Sequence, residues 1–331
     1  MDIDFVITWV DGTQKDWINN YNKYLPLNSS KKIDVSESRY RDNGLLKYWF
    51  RSVEKFAPWV RKVHLITDNQ KPIWLNEKCE KLNLVYHQDY IDTKFLPLFN
   101  SNAIELGMHK IKDLADNFVY FNDDFFLINK ITPEYYFTKN GIIKDFATIE
   151  NIIPHDDFGH ILLNNEKTLE KIIDKNKLLR KNILNFVSIK YPLNTNLKNL
   201  YRIIIRKYNH LQFSHYSQAY NKKIFNEVWQ CLENELTATI KNKYRTNEDI
   251  SHYIFREFNI FNNKIKISYK NKKRKYFDIS DNLDGLLDHI VNQKCSEIVI
   301  NDQLCEDYQH RIDLIRDSFE IILPKKSIFE L

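Results

Sequence analysis

Two adjacent carboxylates, those of Asp123 and Asp124, interrupt an apolar run, because residues 118–127 read FVYFNDDFFL. Burying carboxylates that have no partner is costly, so an adjacent pair among aromatic residues indicates a bound cation. Mg²⁺ and Mn²⁺ prefer oxygen ligands and would suit a diphosphate group. We therefore predict that Asp123 and Asp124 hold Mg²⁺ or Mn²⁺, and the alternative is a pair of ordinary turn residues.

Two further aspartates directly follow predicted strands. Asp11 comes after the run 3–10, IDFVITWV, and Asp68 comes after the run 62–67, KVHLIT. The carboxyl ends of parallel strands gather at one edge of a sheet, and open α/β sheets bind ligands there. Acidic strand ends at one edge repel each other unless a cation lies between them. Both aspartates are therefore expected at the same site, with a turn or capping role as the alternative.

The elements that must position these side chains are strands that alternate with helices over the first 130 residues. Apolar runs predict strands at 3–10, 62–67, 82–86 and 118–127. The helical spacing of apolar residues predicts helices at 43–57 and 101–115. This alternation favours an α/β fold of the Rossmann-like type, with a mostly parallel sheet and helices on both faces.

The remainder of the chain is predicted to add helices to this core. Residues 160–205 are expected to form helices, and residues 283–320 are expected to form a closing pair of helices. We divide the chain into a core (1–150), a helical insertion (151–210) and a C-terminal part that completes the active site (211–331).

Composition and missing motifs narrow the function further. The net charge is mild, 49 − 44 = +5, and basic residues are spread along the chain, so no nucleic-acid partner is expected. The six glycines form neither GxGxxG nor a P-loop, so phosphates would be held by a metal ion and arginines. The chain shows no signal peptide, no apolar run of about 18 residues and no CxxC pair. These features predict a cytoplasmic, reduced protein.

Histidine, glutamate and arginine residues are candidates for acid–base and phosphate chemistry. His109 follows Glu105 by four residues, so one helix face would carry both, and the alternative is a surface pair. Arg245 and Asp249 have the same spacing, which also suits a simple salt bridge. His64 lies inside a predicted strand and is expected to be structural.

Two long segments resemble the Stealth family of hexose-1-phosphate transferases. The first is DIDFVITWVDG (2–12). The second begins at RYRDNGLLKYWFRSVEKFAPWVRKVHLITDNQKPIWL (39–75) and continues through LPLFNSNAIELGMHKI (96–111) to FVYFNDDFFL. Members of this family build bacterial capsules and cell-surface polysaccharides, and the eukaryotic lysosomal-enzyme GlcNAc-1-phosphotransferase belongs to it.

Two shorter segments are similar to further regions of the family. HYSQAYNK (215–222) keeps a histidine and a lysine of the third region, but Ser217 and Ala219 stand where prolines are usual. YRTNEDISHYIF (244–255) resembles the fourth region through its arginine and its Asp-Ile pair.

The resemblance implies a GT-A-like core that binds a nucleotide sugar, such as UDP-GlcNAc, UDP-GalNAc or a UDP-hexose. The acceptor would be an oligosaccharide or a lipid-linked glycan. Its hydroxyl would attack the phosphorus next to the sugar, so that sugar-1-phosphate is transferred into a capsular or cell-surface polysaccharide and UMP leaves. The alternative is a conventional metal-dependent glycosyltransferase that releases UDP.

The resemblance also implies roles for individual residues. His215 is our first choice for general base, because a histidine titrates near neutral pH. The other catalytic candidates are Asp123, Glu105, Arg245 and His109. The substrate-binding candidates are Trp9, Val10, Asp11, Gly12, Arg39, Arg41, Asp42, Asn43, Asp68, Asn69, Asn100, Asn102, Lys222 and Asp249. Capping roles remain the alternative for Asp42, Asn100 and Asn102.

A basic run with flanking aromatic residues, KIKISYKNKKRKYF, occupies residues 264–277. It is interpreted as a solvated hairpin, and attraction to an anionic membrane surface is the next alternative. Peripheral association with the inner face of the cell membrane is therefore a further expectation.

Overall fold

The computed structural model describes residues 1–25, 40–151, 156–205, 210–212, 214–269, 273–303 and 305–331. Their strands are β1 (Ile3–Thr8), β2 (Val63–Thr67), β3 (Leu82–Tyr86), β4 (Asn117–Phe121), β5 (Phe125–Leu127), β6 (Ile143–Asp145), β7 (Ile149–Glu150), β8 (His210–Leu211), β9 (Gln218–Asn221), β10 (Ile265–Ile267), β11 (Arg274–Asp278) and β12 (Glu297–Asn301). Their helices are α1 (Lys15–Tyr24), α2 (Leu46–Phe56), α3 (Ser101–Leu106), α4 (Asp157–Leu169), α5 (Lys175–Lys181), α6 (Leu193–Ile205), α7 (Lys222–Ile240), α8 (Tyr253–Phe261), α9 (Leu283–Val291) and α10 (Tyr308–Ile322). Within these ranges, no helix is both long enough and apolar enough to cross a membrane.

A five-stranded sheet with the order β3-β2-β1-β4-β9 forms the centre of the fold. Its first four strands are parallel, and β9 pairs antiparallel with β4. The chain crosses from β1 to β2 on one side and reaches β4 on the other, so the strand order reverses between β1 and β4. The predicted Rossmann-like, mostly parallel sheet is confirmed.

Apolar side chains cover both faces of this sheet, because successive residues of a strand point to opposite sides. Phe5 and Ile7 belong to the apolar cluster that also contains residues of α2, α9 and α10. Val6 belongs to a second cluster, together with residues of α3, α7 and α8. The expected helices on both faces are therefore present.

The apolar run 118–127 forms two strands, whereas a single strand was predicted. Asn122, Asp123 and Asp124 make a turn between β4 and β5, which the bond from Phe125 N to Asn122 O closes at 3.2 Å. β4 stays in the central sheet, while β5 pairs antiparallel with β12 in a three-stranded sheet. Because the turn lies outside the paired strands, it places these three polar residues at the edge of the central sheet.

Three other predicted elements were wrong in extent or type. The helix expected at 101–115 stops at Leu106, and a 3₁₀ turn follows Gly107. The run 264–277 is not a hairpin, because β10 pairs with β6 whereas β11 pairs with β12. Its residues 270–272 lie outside the described residues. The expected pair of closing helices, α9 and α10, is separated by strand β12.

The boundaries 1–150, 151–210 and 211–331 stay a prediction. The segments 1–150 and 211–331 contribute strands to the same two sheets, because β9 completes the central sheet and β12 pairs with β5. Helices α4, α5 and α6 lie within the expected helical insertion.

Candidate active site

A cleft of about 830 Å³ opens at the carboxyl edge of the central sheet. The residues that follow three parallel strands line it: Trp9 and Val10 after β1, Asp68 after β2, and the Asn122–Asp124 turn after β4. This position is where the strand order reverses, the usual ligand site of open α/β sheets. The volume lies within the roughly 300–1,000 Å³ that is typical of small-molecule sites.

The Asp123–Asp124 pair lies at the centre of the cleft's acidic side. The Asp123 side chain is open to the cleft, yet desolvation by the surrounding walls, followed by the neighbouring charge of Asp124, raises its pKa to about 8. Asp124 Oδ2 lies 3.2 Å from His215 Nε2. Asp124 Oδ1 is buried, and among the described residues nothing donates a hydrogen bond to it. An unsatisfied buried carboxylate oxygen is costly and therefore indicates a missing partner.

These two carboxylates fit a divalent cation that is bound together with a substrate. The described part of the chain contains no group of three or more His, Cys, Asp or Glu side chains set up as a ready-made metal site. Mg²⁺ does not require one, since it is usually held by one or two carboxylates plus substrate phosphates and water. The unsatisfied oxygen of Asp124 and the raised pKa of Asp123 match that kind of site.

Glu105 lies in the wall of the cleft and is 5% exposed. Tyr120 donates a hydrogen bond to Glu105 Oε1 at 2.9 Å, and His252 Nε2 lies 3.6 Å from Oε2. Burial raises the pKa of Glu105 to about 7, although the charge of Arg245 and the bond from Tyr120 oppose this rise. Burial also lowers the pKa of His252 to about 3, so the imidazole is neutral at physiological pH. His252 was not predicted, because it has no distinctive spacing in the sequence.

Arg245 contributes a positive charge to the cleft beside α3. Its guanidinium donates a hydrogen bond to Ser101 Oγ at the start of this helix. The N-cap of α3 is Asn100, whose side chain accepts a hydrogen bond from Asn102 N at 3.1 Å. The capping alternative for Asn100 is therefore what the structure shows, while Asn102 lines the cleft.

Asp249 lies behind the cleft and does not line it. It accepts hydrogen bonds from Asn100, Asn102 and Asn242 at 2.9, 3.3 and 2.8 Å. It also accepts hydrogen bonds from the backbone N–H and the side-chain hydroxyl of Thr246. These bonds hold the buried Asp249 carboxylate in place, and Asp249 thereby joins the start of α3 to the segment that carries Arg245.

Asp302 is a residue of the cleft that the sequence analysis missed. It follows β12, and the charge of Arg41 opposes the rise in its pKa that burial causes. Its two oxygens lie 3.4 Å from Arg41 Nη1 and 3.1 Å from the Tyr308 hydroxyl. The Arg41 guanidinium also stacks over the Tyr308 ring, 4.3 Å from its centre. A signal was present, since EIVIND (297–302) is an apolar run ending in Asn-Asp, as FVYFNDD is.

Asp42, Asn43 and Asp68 also belong to the polar part of the lining. Asp42 accepts from Gly44 N at 3.0 Å and does not cap α2, whose N-cap is Leu45. Burial raises the pKa of Asp42, and it raises the pKa of Asp68 to about 6. Several acids with raised pKa values in one cleft favour a site that also receives a cation.

Three predicted residues near the first strand ends do not line the cleft. Asp11 accepts from Thr13 N and Oγ1 and therefore acts as a turn residue. Gly12 packs on the backbone of Tyr40, where any Cβ would lie 2.6 Å from the carbonyl oxygen. Asn69 has a positive φ of 54° in the turn after Asp68. Arg39 lies outside the described residues.

Two other candidates lie away from the cleft. His109 is in a 3₁₀ turn beyond the end of α3, packed near Phe225 and Trp229, so it does not share a helix face with Glu105. Burial lowers its pKa to about 3. Lys222 begins α7 beside Asp116, at the amino end of β4. Because β9 runs antiparallel to β4, it carries the chain from His215 at the cleft to Lys222 at the opposite edge.

The fold and the cleft define an α/β protein with an acidic, histidine- and arginine-containing site at the edge of a parallel sheet. Two family models match the chain: Stealth protein CR1, conserved region 1, over residues 1–29, and Stealth protein CR2, conserved region 2, over residues 39–145. Capsular polysaccharide phosphotransferase WcwK of Streptococcus pneumoniae is 36% identical and aligns over 99% of this chain and 98% of its own length. The chain therefore belongs to the Stealth family and is a transferase.

Other relatives have the same class of name. Exopolysaccharide phosphotransferase cps2G of Lactiplantibacillus plantarum is 32% identical over 99% of this chain and 96% of its own length. Receptor polysaccharide phosphotransferase WefC of Streptococcus oralis is 34% identical over 99% of both chains. Among solved structures, an active-site mutant of LgtC aligns over 96% of both chains with a TM-score of 0.41 and 11% identity, too distant a likeness to support an argument.

Proposed function

We propose that this protein transfers a sugar-1-phosphate from a UDP-sugar to a hydroxyl of a growing surface polysaccharide and releases UMP. The new phosphodiester bond joins the acceptor oxygen to the phosphorus that carries the sugar. The bond from this phosphorus to the bridging oxygen breaks, and that oxygen leaves with UMP. The bond between the sugar and its phosphate stays intact throughout.

The observation that carries the proposal is the meeting of opposite charges in one cleft. Asp123 and Asp124 lie on the lining together with Arg41, Arg245 and His215. Phosphoryl transfer requires neutralised phosphate charge, an aligned nucleophile and removal of its proton. The membership of the Stealth family and the names of its polysaccharide phosphotransferases support the same chemistry.

Asp123 and Asp124 are the residues that would hold Mg²⁺ or Mn²⁺ in this protein. When bound, the cation would neutralise charge on the diphosphate of the donor. Arg41 and Arg245 supply permanent positive charge, and a guanidinium matches the geometry of phosphate oxygens. The Arg41 guanidinium stacks on the ring of Tyr308 and contacts the carboxylate of Asp302. These two contacts limit its movement.

His215 is the proposed general base that takes the proton of the acceptor hydroxyl. The Asp124 carboxylate lies 3.2 Å from its Nε2, and Phe125 packs edge-on against its ring at 4.8 Å between centres. These two contacts fix the orientation of the imidazole at the cleft. Glu105 lies on the same lining, where its negative charge would balance Arg245.

The acceptor is proposed to be an oligosaccharide or lipid-linked glycan that reaches the protein at the inner face of the cell membrane. The cleft extends to Asp156 and Phe158 at the beginning of α4, so the helical insertion forms part of its lining. An acceptor approaching along the insertion would meet His215 and the donor phosphorus inside the cleft.

The products of the reaction test the proposal. The purified protein is incubated with Mg²⁺ and a panel of UDP-sugars with glycan acceptors, and the released nucleotide is separated by chromatography. UMP release and a phosphodiester signal in the phosphorus NMR spectrum of the product are expected. Release of UDP with no phosphorus in the product would instead identify a conventional glycosyltransferase.

Matched variants connect this activity to the acidic pair. Asp123→Ala and Asp124→Ala should each abolish metal-dependent UMP release. Asp284→Asn, which changes an exposed aspartate on α9, should retain it. Calorimetric titration with Mn²⁺ and donor should show metal binding in the wild type and in Asp284→Asn but not in the two alanine variants.

A further inference from the structure

Large apolar side chains are exposed in an unusual concentration on the helical insertion. The described residues include eighteen exposed large apolar side chains, and nine of them lie between residues 183 and 205. The others are scattered, as single exposed apolar residues on a protein surface normally are. A contiguous apolar surface of this kind marks a place where the protein meets another apolar phase or partner.

Helix α6 carries the main part of this surface, which we call the α6 patch. The patch consists of Leu193, Leu197, Leu200, Tyr201 and Ile204, with exposures of 74, 59, 38, 63 and 69%. At about 100° per residue, these five positions fall within an arc of roughly 100°, so they form one stripe along the helix. Leu184 and Ile189, exposed by 78 and 102%, lie in the segment just before α6.

The opposite face of α6 is polar and faces the protein. Asn199 is fully buried, accepts from Ile149 N at 2.8 Å and donates to Ala147 O at 2.8 Å. Asn196 accepts from Ser188 N and donates to Ser188 O, each at 2.9 Å. These bonds satisfy backbone groups of neighbouring segments and fix the rotation of the helix. The apolar stripe is therefore directed outwards by specific contacts.

The charge of the segment that carries α6 indicates what covers this stripe. Residues 175–205 contain seven lysines and arginines and no aspartate or glutamate. Lys177, Arg180, Lys181 and Lys190 are exposed. An amphipathic helix with apolar side chains on one face and basic residues around it is typical of a segment that lies in the interface of an anionic bilayer.

We propose that the α6 patch and its basic surroundings dock this protein onto an anionic phospholipid bilayer. A second copy of the chain is the less favourable occupant, because a symmetric contact would bring two basic surfaces together. The docking segment is thus the insertion, and the basic run 264–277 is not required for it. The side chains of the patch would enter the headgroup and acyl boundary while the basic residues contact lipid phosphates.

The docked orientation has a consequence for the proposed reaction, and this part of the inference rests on the proposed function. The insertion that carries the α6 patch also contributes to the cleft, which Asp156 and Phe158 line. Docking through α6 would therefore bring the bilayer to the insertion that forms part of the cleft lining. A lipid-linked acceptor could then reach the donor without leaving the membrane.

Vesicle sedimentation of the full chain tests the docking. The protein is mixed with vesicles of phosphatidylcholine plus phosphatidylglycerol or of phosphatidylcholine alone. We expect binding to the anionic vesicles that is at least about tenfold tighter than to the neutral ones and that weakens with added salt. The double variant Leu197→Asn/Ile204→Asn should lose about tenfold or more in affinity for the anionic vesicles.

Controls separate docking from misfolding and from the proposed reaction. Ile73→Asn removes an isoleucine that is 94% exposed outside the patch, and it should bind vesicles as the wild type does. Thermal unfolding should show the double variant folded, and its UMP release with a water-soluble acceptor should be unchanged. Vesicle binding without UMP release would reject the proposed function and leave the docking standing.

Two results would overturn the docking. One is wild-type protein that stays in the supernatant with anionic vesicles. The other is a wild-type dimer in light scattering that the double variant converts to a monomer, with vesicle binding equal in both proteins. The second result would assign the α6 patch to a second copy of the chain.

Discussion

The carboxylate of Asp124 lies 3.2 Å from Nε2 of His215, although 91 residues separate the two in the chain. Asp124 belongs to the turn after β4, and His215 precedes β9, the antiparallel neighbour of β4. The pairing of these two strands therefore brings an acid and a candidate base to the same edge of the sheet. Only one oxygen of Asp124 is used in this contact, and the other is buried without a hydrogen-bond partner among the described residues.

The first prediction concerns this pair. His215→Asn and Asp124→Asn should each lower kcat by at least roughly 10²–10⁴-fold, because one removes the proposed base and the other removes a carboxylate that orients this base and would also hold the cation. Residues that act as a unit have non-additive effects, so the double variant should be no slower than the slower single variant. UMP release at saturating donor and acceptor measures kcat. A His215→Asn enzyme with wild-type kcat would exclude the proposed base.

Lys222 supplies the matched control from the same segment of sequence. β9 runs from the cleft edge, where His215 lies, to the amino end of β4, where Lys222 N bonds Asp116 O, so Lys222 lies at the opposite edge of the sheet. Lys222→Met should therefore change kcat and KM by less than about twofold, as is normal for a substitution remote from a site. A large loss in this variant would show that the opposite edge of the sheet also takes part in the reaction.

The second prediction concerns Arg41 and Asp302. Arg41→Ala should lower kcat/KM for the donor by about 10–100-fold, since charged hydrogen bonds contribute about 1.5–3 kcal/mol. Asp302→Asn should produce a smaller loss of the same kind, because Asp302 acts by holding the guanidinium. Initial rates at varied donor concentration give both values, and the double variant should resemble Arg41→Ala alone.

Two measurements distinguish this role of Asp302 from metal binding. Both Asp302 oxygens already have partners, Arg41 and Tyr308, so the Mn²⁺ affinity of Asp302→Asn should stay close to that of the wild type. Asp307→Asn removes an exposed carboxylate five residues away and should leave kcat/KM unchanged. Additive losses in the Arg41→Ala/Asp302→Asn double variant would contradict the proposed coupling.

The third prediction concerns the contribution of Asp249, which bonds the residues at the start of α3, to the stability of the protein. Asp249→Ala should lower the free energy of unfolding by at least about 3 kcal/mol, because it leaves several buried amide donors without an acceptor. Urea denaturation followed by circular dichroism measures this change. Glu248→Ala alters the exposed neighbour and should cost less than about 1 kcal/mol. Equal effects of the two substitutions would refute the structural role of Asp249.

The central sheet and the position of the cleft could be predicted because they depend on local patterns. Apolar runs that end in Asp or Asn mark parallel strands whose carboxyl ends meet, and Asp68 and Asp123–Asp124 do line one cleft. Asp11 has the same local pattern, but the loop after β1 turns its side chain to Thr13. The pattern thus locates the edge of the sheet without deciding which side chain enters the site.

The residues whose positions were not predicted correctly depend on contacts between segments that are distant in the sequence. The antiparallel direction of β9 separates His215 from Lys222, and nothing within residues 215–222 encodes that direction. Asp302 reaches the cleft only because β12 pairs with β5, which is distant from it in the sequence. His109 does not share a helix face with Glu105, because the helix ends at Gly107. Gly107 packs closely against Tyr90, which leaves little room for a side chain at this position. Such pairings and packing contacts are set by the whole fold.

The last prediction uses the raised pKa of Glu105, about 7 against an ordinary value of 4.5. A carboxyl whose pKa is higher in the folded than in the unfolded protein binds more protons when folded between these two values. Stability therefore falls as pH rises through this range and levels off above the folded pKa. Relative to Glu105→Gln, which cannot ionise, the wild type should lose roughly 2–3 kcal/mol between pH 5 and pH 8.

Urea unfolding of both proteins at several pH values gives this difference directly. Asp68 has no contact with Glu105 and titrates equally in both proteins, and His252, whose pKa is lowered to about 3, is neutral in both folded proteins from pH 5 to pH 8, so the subtraction isolates Glu105. The side-chain amide of the Glu105→Gln variant can still accept the bond from Tyr120, so this variant should fold with the same packing. A difference in stability that stays constant from pH 5 to pH 8 would show that burial does not raise the pKa of Glu105. The charge that balances Arg245 in the cleft would then be present throughout this range.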